Sequence, residues 1–94
     1  MNKTRVVNVR KEPYDVCIMR PGIYQNPFPL IGKDYIGCVA KFRVYFRSRI
    51  HSDMIYLTAV GELKGKKIGC CHDQKPCHGD VYVEFLEQEG EWAR

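Results

Sequence analysis

The sequence contains no apolar run approaching the about 18 residues that a membrane span requires. It also lacks a secretory leader pattern. Met1-Asn2-Lys3-Thr4-Arg5 leads straight into Val6-Val7-Asn8-Val9, which is too short and too polar for the apolar stretch of a signal peptide, and no small-residue cleavage site follows. These absences predict a cytoplasmic protein with no membrane partner. No Gly-rich phosphate fingerprint, internal repeat or low-complexity segment is present, which excludes the full dinucleotide-binding and solenoid classes. An even cysteine set is missing too. Five cysteines without a leader argue against a disulfide scaffold and leave thiols as core fillers, metal ligands or reactive groups. Cys17 and Cys38, each inside an apolar stretch, read as small buried hydrophobes.

The 94 residues predict one domain spanning 1–94, with room for about one sheet layer and two or three helices. A hydrophobic fraction of 45% and a charged fraction of 28% are those of a globular chain, not a disordered one. The net charge of +4 is uneven: residues 1–52 carry ten Lys/Arg against three Asp/Glu, whereas residues 53–94 carry five against eight. The basic half suits phosphate-bearing ligands or nucleic acid, or a solvated face.

Residues 5–10, rich in β-branched side chains, predict a first strand, and the apolar run 15–19 a second. The short link between them leaves no room for a parallel crossover, so the two are expected to pair antiparallel or to form one bent ribbon. Residues 20–33 hold Pro21, Gly22, Pro27, Pro29 and Gly32, which forbid regular structure, beside Ile23, Tyr24, Phe28, Leu30 and Ile31, which should pack down. A long aromatic loop after a strand is a common place for a binding site. Residues 35–50 predict the clearest helix, capped by Asp34, with Tyr35, Cys38, Val39, Phe42, Phe46 and Ile50 on one stripe. A poorer helix over 54–64 follows a cap at Ser52 or Asp53 and ends before Gly65. Residues 66–71 predict a third strand, parallel to the second because helical structure connects them, and 81–88 a last helix. The predicted class is α/β: a small three-stranded, partly parallel sheet flanked by about three helices, Rossmann-like in spirit.

The stretch from Ile68 to Asp80 concentrates three of the five cysteines and two of the three histidines. It joins the carboxyl end of a predicted strand to the start of a predicted helix, the edge where ligands bind in open α/β sheets. Three chemistries stay open. Cys70, His72, Cys77 and His78 form a candidate zinc ligand set, since thiolate and imidazole are the usual ligands, although C-x-H-x4-C-H matches no standard finger. Cys77, about two residues before the predicted helix, is a candidate nucleophile with its pKa lowered by the dipole, His72 or His78 as base and Asp80 as orienter. The N–H groups of Gly79, Asp80 and Val81 are candidates to face a phosphate, with His78 beside them, unless Asp80 caps the helix. Arg10 and Arg20 end the first two strands, and Asn26 and Phe28 lie in the loop. On the same edge they would supply a bidentate fork, a hydrogen-bond pair and a face for a base. His51, between helices, reads as structural.

The ordered motifs Arg5-Val6-Val7-Asn8-Val9-Arg10, Asp15-Val16, Arg20-Pro21-Gly22, Asn26-Pro27-Phe28, Leu63-Lys64-Gly65-Lys66-Lys67-Ile68-Gly69-Cys70 and Pro76-Cys77-His78-Gly79-Asp80-Val81 resemble the domain-of-unknown-function family 4326 of small phage and bacterial proteins. The likeness spans nearly the whole chain. It implies a compact α/β domain, in the host cytoplasm if phage-encoded, and carries no activity to transfer. Family members usually read Gly-Cys-Trp-Cys before the Pro-Cys-His-Gly-Asp motif. Here Cys71 stands at the tryptophan and His72 at the second cysteine, an exchange that keeps a metal ligand. The usual Gly-Arg-Pro reads Met19-Arg20-Pro21.

The leading functional expectation is a ligand-binding domain for a nucleotide or related phosphorylated molecule, using Arg10, Arg20, Asn26, Phe28, His78, Gly79 and Asp80. The alternatives are an enzyme acting on nucleotides or nucleic acid through Cys77 and His78 or a bound zinc, and a phage protein that binds a host protein through the basic helix around Arg43 and Arg47.

Overall fold

The computed structural model describes residues 3–19, 22–29, 31–70 and 77–87. Its elements run β1 (Arg5–Asn8), β2 (Val16–Cys17), α1 (Tyr35–Ser52), α2 (Met54–Gly61), β3 (Lys67–Cys70) and α3 (His78–Leu86). The chain is an α/β protein. Ile68 and Cys70 point from β3 into the helical core, together with Val6 of β1 and Val16 of β2.

The strand order is β1-β3-β2, and both pairings are parallel. This corrects the expected antiparallel pair or bent ribbon. β1 and β2 do not pair with each other but flank β3, Val6 and Val16 both standing level with Ile68. The chain therefore returns between Asn8 and Asp15 across the face of β3. Gly69 makes that passage fit: a Cβ there would lie 2.6 Å from Val9 Cγ1 and 2.9 Å from Tyr14 Cγ. The crossover rule assumes a connection that clears the side chains of the middle strand, and at Gly69 there is none to clear.

α1 starts where Asp34 Oδ1 accepts the Gly37 N–H at 2.9 Å, and α2 where Asp53 Oδ1 accepts the Tyr56 N–H at 3.0 Å. Both are side-chain caps of the expected kind. The expected α1 stripe buries Val39, Phe42, Phe46 and Ile50. The helix is weakly amphipathic because Ile36 and Val44 stand exposed on another face. Gly65, at φ 77°, turns the chain into β3 from the left-handed region. Two cysteines depart from expectation. Cys17 is exposed, since its side chain points off the sheet face opposite the helices, and Cys38 is half-buried near the start of α1.

The core is aromatic. Phe46 meets Tyr56, Tyr82 and Phe85, while Phe42 meets Tyr45, Tyr82 and His78. Tyr82 O–H donates to the Tyr24 carbonyl at 2.9 Å, which leaves Tyr56 O–H as donor in the 2.7 Å contact between the two hydroxyls. Burial pushes Tyr56 up to about 12 and Tyr82 higher still, so both stay neutral donors. Arg43 grips Glu84 of α3 with both terminal nitrogens, so this cation of the basic helix is engaged inside the fold.

Glu87 locks the end of α3 to the first strand. Its Oε2 accepts the Thr4 N–H at 3.1 Å and Lys64 Nζ at 3.0 Å, while Thr4 Oγ1 accepts the Gly65 N–H at 2.7 Å. The Thr4 N–H first, and Lys64 second, hold the Glu87 carboxyl down to about 2 from an ordinary 4.5. A depressed folded-state pKa stabilises the fold above the unfolded value and loses that contribution as pH falls through the folded one. Between about pH 4.5 and 2, the urea midpoint of the wild type is therefore expected to fall more steeply than that of Glu87→Gln. Parallel curves in that window would show that the carboxylate contributes nothing.

Candidate metal centre

β3 ends at Cys70 with its side chain on the helical face, and α3 begins immediately beyond Cys77. α3 starts three residues earlier than expected. Cys77, not Asp80, is the N-cap: its Sγ accepts the Gly79 N–H at 3.4 Å, and Asp80 Oδ2 returns to accept the Cys77 N–H at 2.9 Å, completing a capping box. This corrects the expected roles of both residues. A cysteine is a poor cap by type, and the reciprocal carboxylate compensates.

The cap places three donor atoms together. Cys70 Sγ, Cys77 Sγ and a ring nitrogen of His78 all lie within 4.8 Å of one another. The two sulfurs are 3.0 Å apart and not joined in a disulfide, and His78 Nδ1 is 4.0 Å from Cys77 Sγ. Exposure is 1% for Cys70, 2% for Cys77 and 5% for His78, so the cluster belongs to the core.

The third strand end orients the histidine. His78 Nε2 lies 3.0 Å from the Ile18 carbonyl, just past β2. A carbonyl only accepts, so Nε2 carries the proton and the lone pair of the neutral ring sits on Nδ1. Nδ1 is the atom that approaches the thiols. Metal-bound histidines share this arrangement, in which the second ring nitrogen donates to a backbone carbonyl that fixes tautomer and ring plane. Phe42 packs edge-on to the His78 ring at 5.3 Å.

The donor set fits a tetrahedral zinc ion. With Zn–S near 2.3 Å, two tetrahedral sulfurs stand about 3.8 Å apart, so the pair needs to open by under about 1 Å. The Cys77 thiol does not carry the lowered pKa expected of it. Its contact with Cys70 Sγ first, and burial second, push it far above the ordinary thiol range. The expected depression by the helix dipole is overturned, because a thiolate here would lie in the core beside a second sulfur.

The remaining candidates fall elsewhere. Gly79 offers no opening to a ligand, since a Cβ there would lie 2.8 Å from Val6 Cγ2 and 3.0 Å from Ile18 Cδ1. The Gly79 N–H goes to Cys77 Sγ and the Asp80 N–H to the Cys77 carbonyl. Asn26 bonds the Phe28 N–H at 2.9 Å and Cys38 Sγ at 3.4 Å, shaping its own loop. Phe28 is half-buried against Tyr45, and Tyr45 in turn meets Phe42, so Phe28 lies two rings away from His78. Arg10 is exposed after β1, with its N–H on Asn8 Oδ1 at 2.8 Å. His51 is exposed at the end of α1. Arg20 and His72 lie outside the described residues. The Ile18 carbonyl escaped sequence reading, because a backbone acceptor carries no residue signature. Tyr82 escaped it too, although its spacing of four from both His78 and Leu86 marks one face of a helix that begins at Cys77.

No described helix is long and apolar enough to cross a membrane. No solved structure matches the chain. A relative from Enterobacteria phage T4, named as an uncharacterized 12.4 kDa protein in the nrdA-td intergenic region, is 33% identical over 87 residues, covering 89% of this chain and 78% of its own length. The family described as Domain of unknown function (DUF4326) matches residues 1–88. With that match running from β1 through the Cys70, Cys77 and His78 cluster to the end of α3, the chain belongs to the DUF4326 family.

Proposed function

We propose that this protein is a zinc-binding α/β module, in which Cys70, Cys77 and His78 hold the ion and His72 is the fourth ligand. The observation that carries the reading is the meeting of two buried thiols with the lone-pair nitrogen of a carbonyl-anchored imidazole. His72 enters on sequence alone, as a ligand-type residue two positions beyond Cys70. The near-complete burial of the three described ligands favours a structural ion over one with a position open to substrate. The ion would tie the end of β3 to the cap of α3 and, through His78, to the end of β2.

Metal analysis of freshly purified protein is expected to find one zinc per chain. Cobalt substitution should give the intense thiolate-to-metal bands and strong visible absorption of a tetrahedral site. Protein free of every transition metal, and unable to take up cobalt, would end the proposal.

A nucleotide or related phosphorylated ligand is the second reading, favoured by the shared carboxyl edge of three parallel strands. Because the first N–H groups of α3 are engaged, the anion would rest on arginine: Arg10, exposed beside that edge, and Arg20. Either reading suits the cytoplasm, that of the host if the protein is phage-encoded, where such ligands and reduced thiols coexist.

A further inference from the structure

The same two sulfurs permit a second cross-link. Cys70 Sγ and Cys77 Sγ lie 3.0 Å apart, neither in a disulfide and both buried in the core. They sit on elements that β-sheet pairing and the capping box fix independently, Cys70 on the middle strand and Cys77 at the N-cap of α3. Neither element has to move far for a sulfur–sulfur bond. We propose that the pair is a redox-controlled ligand set, in which peroxide oxidation to a Cys70–Cys77 disulfide and zinc binding exclude each other. The inference rests on the zinc reading above.

The chemistry balances with a hydroperoxide as oxidant. One sulfur attacks a peroxide oxygen, the O–O bond breaks, and water or an alcohol leaves while S–OH forms. The second sulfur attacks that sulfur, the S–O bond breaks, and the oxygen departs as water, its proton coming from the second thiol in the metal-free chain and from solvent where the sulfurs are thiolate ligands. Two thiols lose two electrons to the O–O bond, and one disulfide remains. A disulfide sulfur is no longer a thiolate donor, so the site keeps only imidazole and releases its ion. The exchange conserves the fastening of β3 to α3 while changing its chemistry, so the fold stays closed in either state. Cys17 stands level with Gly69, next to Cys70, but its exposed side chain lies on the opposite sheet face, away from this bond.

The test uses the zinc-loaded chain, hydrogen peroxide and a chromophoric chelator, in the wild type and in a C17S/C38S/C71S variant that keeps Cys70 and Cys77 as its only thiols. Expected is one zinc released per two thiols lost, a mass lower by two hydrogens, fragmentation that maps the bond to Cys70–Cys77, and full recovery of zinc binding after dithiothreitol. Zinc retained after both thiols are consumed, or oxidation that stops at sulfinic acid or bonds Cys71 instead, overturns the coupling while leaving the zinc site intact. A chain that forms the disulfide but never binds zinc overturns the zinc reading, and the coupling with it. The wild-type measurement decides the matter if the triple variant does not fold.

Discussion

Cys77→Ser is expected to strip the zinc from this chain and lower its Tm by about 15 °C or more. The exchange separates two roles that one residue combines. As N-cap, Cys77 offers Sγ to the Gly79 N–H at 3.4 Å. Serine caps helices better than cysteine does, so a purely structural Cys77 predicts a neutral or slightly stabilising change. As ligand, Cys77 supplies a thiolate that a serine hydroxyl does not replace at neutral pH. An ion present at about 1,000 times its dissociation constant stabilises the fold by about 4 kcal/mol. In a chain of this size each kcal/mol shifts Tm by about 4 °C or more. The chelator arm isolates the cause. Wild type in excess chelator should fall to the variant's Tm, and the variant should not respond to chelator at all. A packing defect would persist in chelator, whereas a lost ligand would not. Cys17→Ser, at an exposed thiol outside the cluster, should leave both Tm and zinc content unchanged. If the Cys77→Ser protein melts with the wild type in both buffers, the cluster holds no metal.

The ligand types of this site stood in the sequence, and so did the helix stripe that builds its floor. Val39, Phe42, Phe46 and Ile50 follow the 3.6-residue period, and Asp34 and Asp53 are caps by residue type. Cys70, Cys77 and His78 were readable as donors because thiols and imidazoles crowd one short segment. What sequence concealed was what tertiary contact decides. The start of α3 was read three residues late because Asp80 is by type the better cap, yet here it serves as the capping box's returning carboxylate. The parallel arrangement of β1 and β2 was hidden because it depends on an absent side chain, that of Gly69, under a crossing loop. The direction of the Cys77 shift was misjudged for a related reason. A helix dipole is visible in the sequence pattern, but burial against Cys70, which outweighs it, is not.

Gly79→Ala and Gly61→Ala are expected to change stability in opposite directions, although each places one methyl group on a helix. At Gly61, the exposed last residue of α2, a Cβ meets nothing within 4 Å. Alanine should raise stability there by about 0.5–1 kcal/mol, through helix propensity and a less flexible unfolded chain. At Gly79 the new carbon would stand 2.8 Å from Val6 Cγ2 on β1 and 3.0 Å from Ile18 Cδ1 just past β2, both side chains packed into the core. Relief requires α3 to lift from the sheet. Overpacking of this kind costs about 1–3 kcal/mol, which outweighs the gain of about 1 kcal/mol from propensity. The displaced helix carries Cys77 and His78 with it, so His78 Nε2 would part from the Ile18 carbonyl that sets its tautomer. Zinc affinity should therefore fall about 10- to 100-fold in Gly79→Ala, as when the outer hydrogen bond of a histidine ligand is removed, and stay unchanged in Gly61→Ala. Val6→Ala tests the cause. Alone it destabilises, whereas in the Gly79→Ala background it frees the space the new methyl needs and should recover part of both losses. Additive losses in that double-mutant cycle would place the defect somewhere other than the contact between α3 and β1.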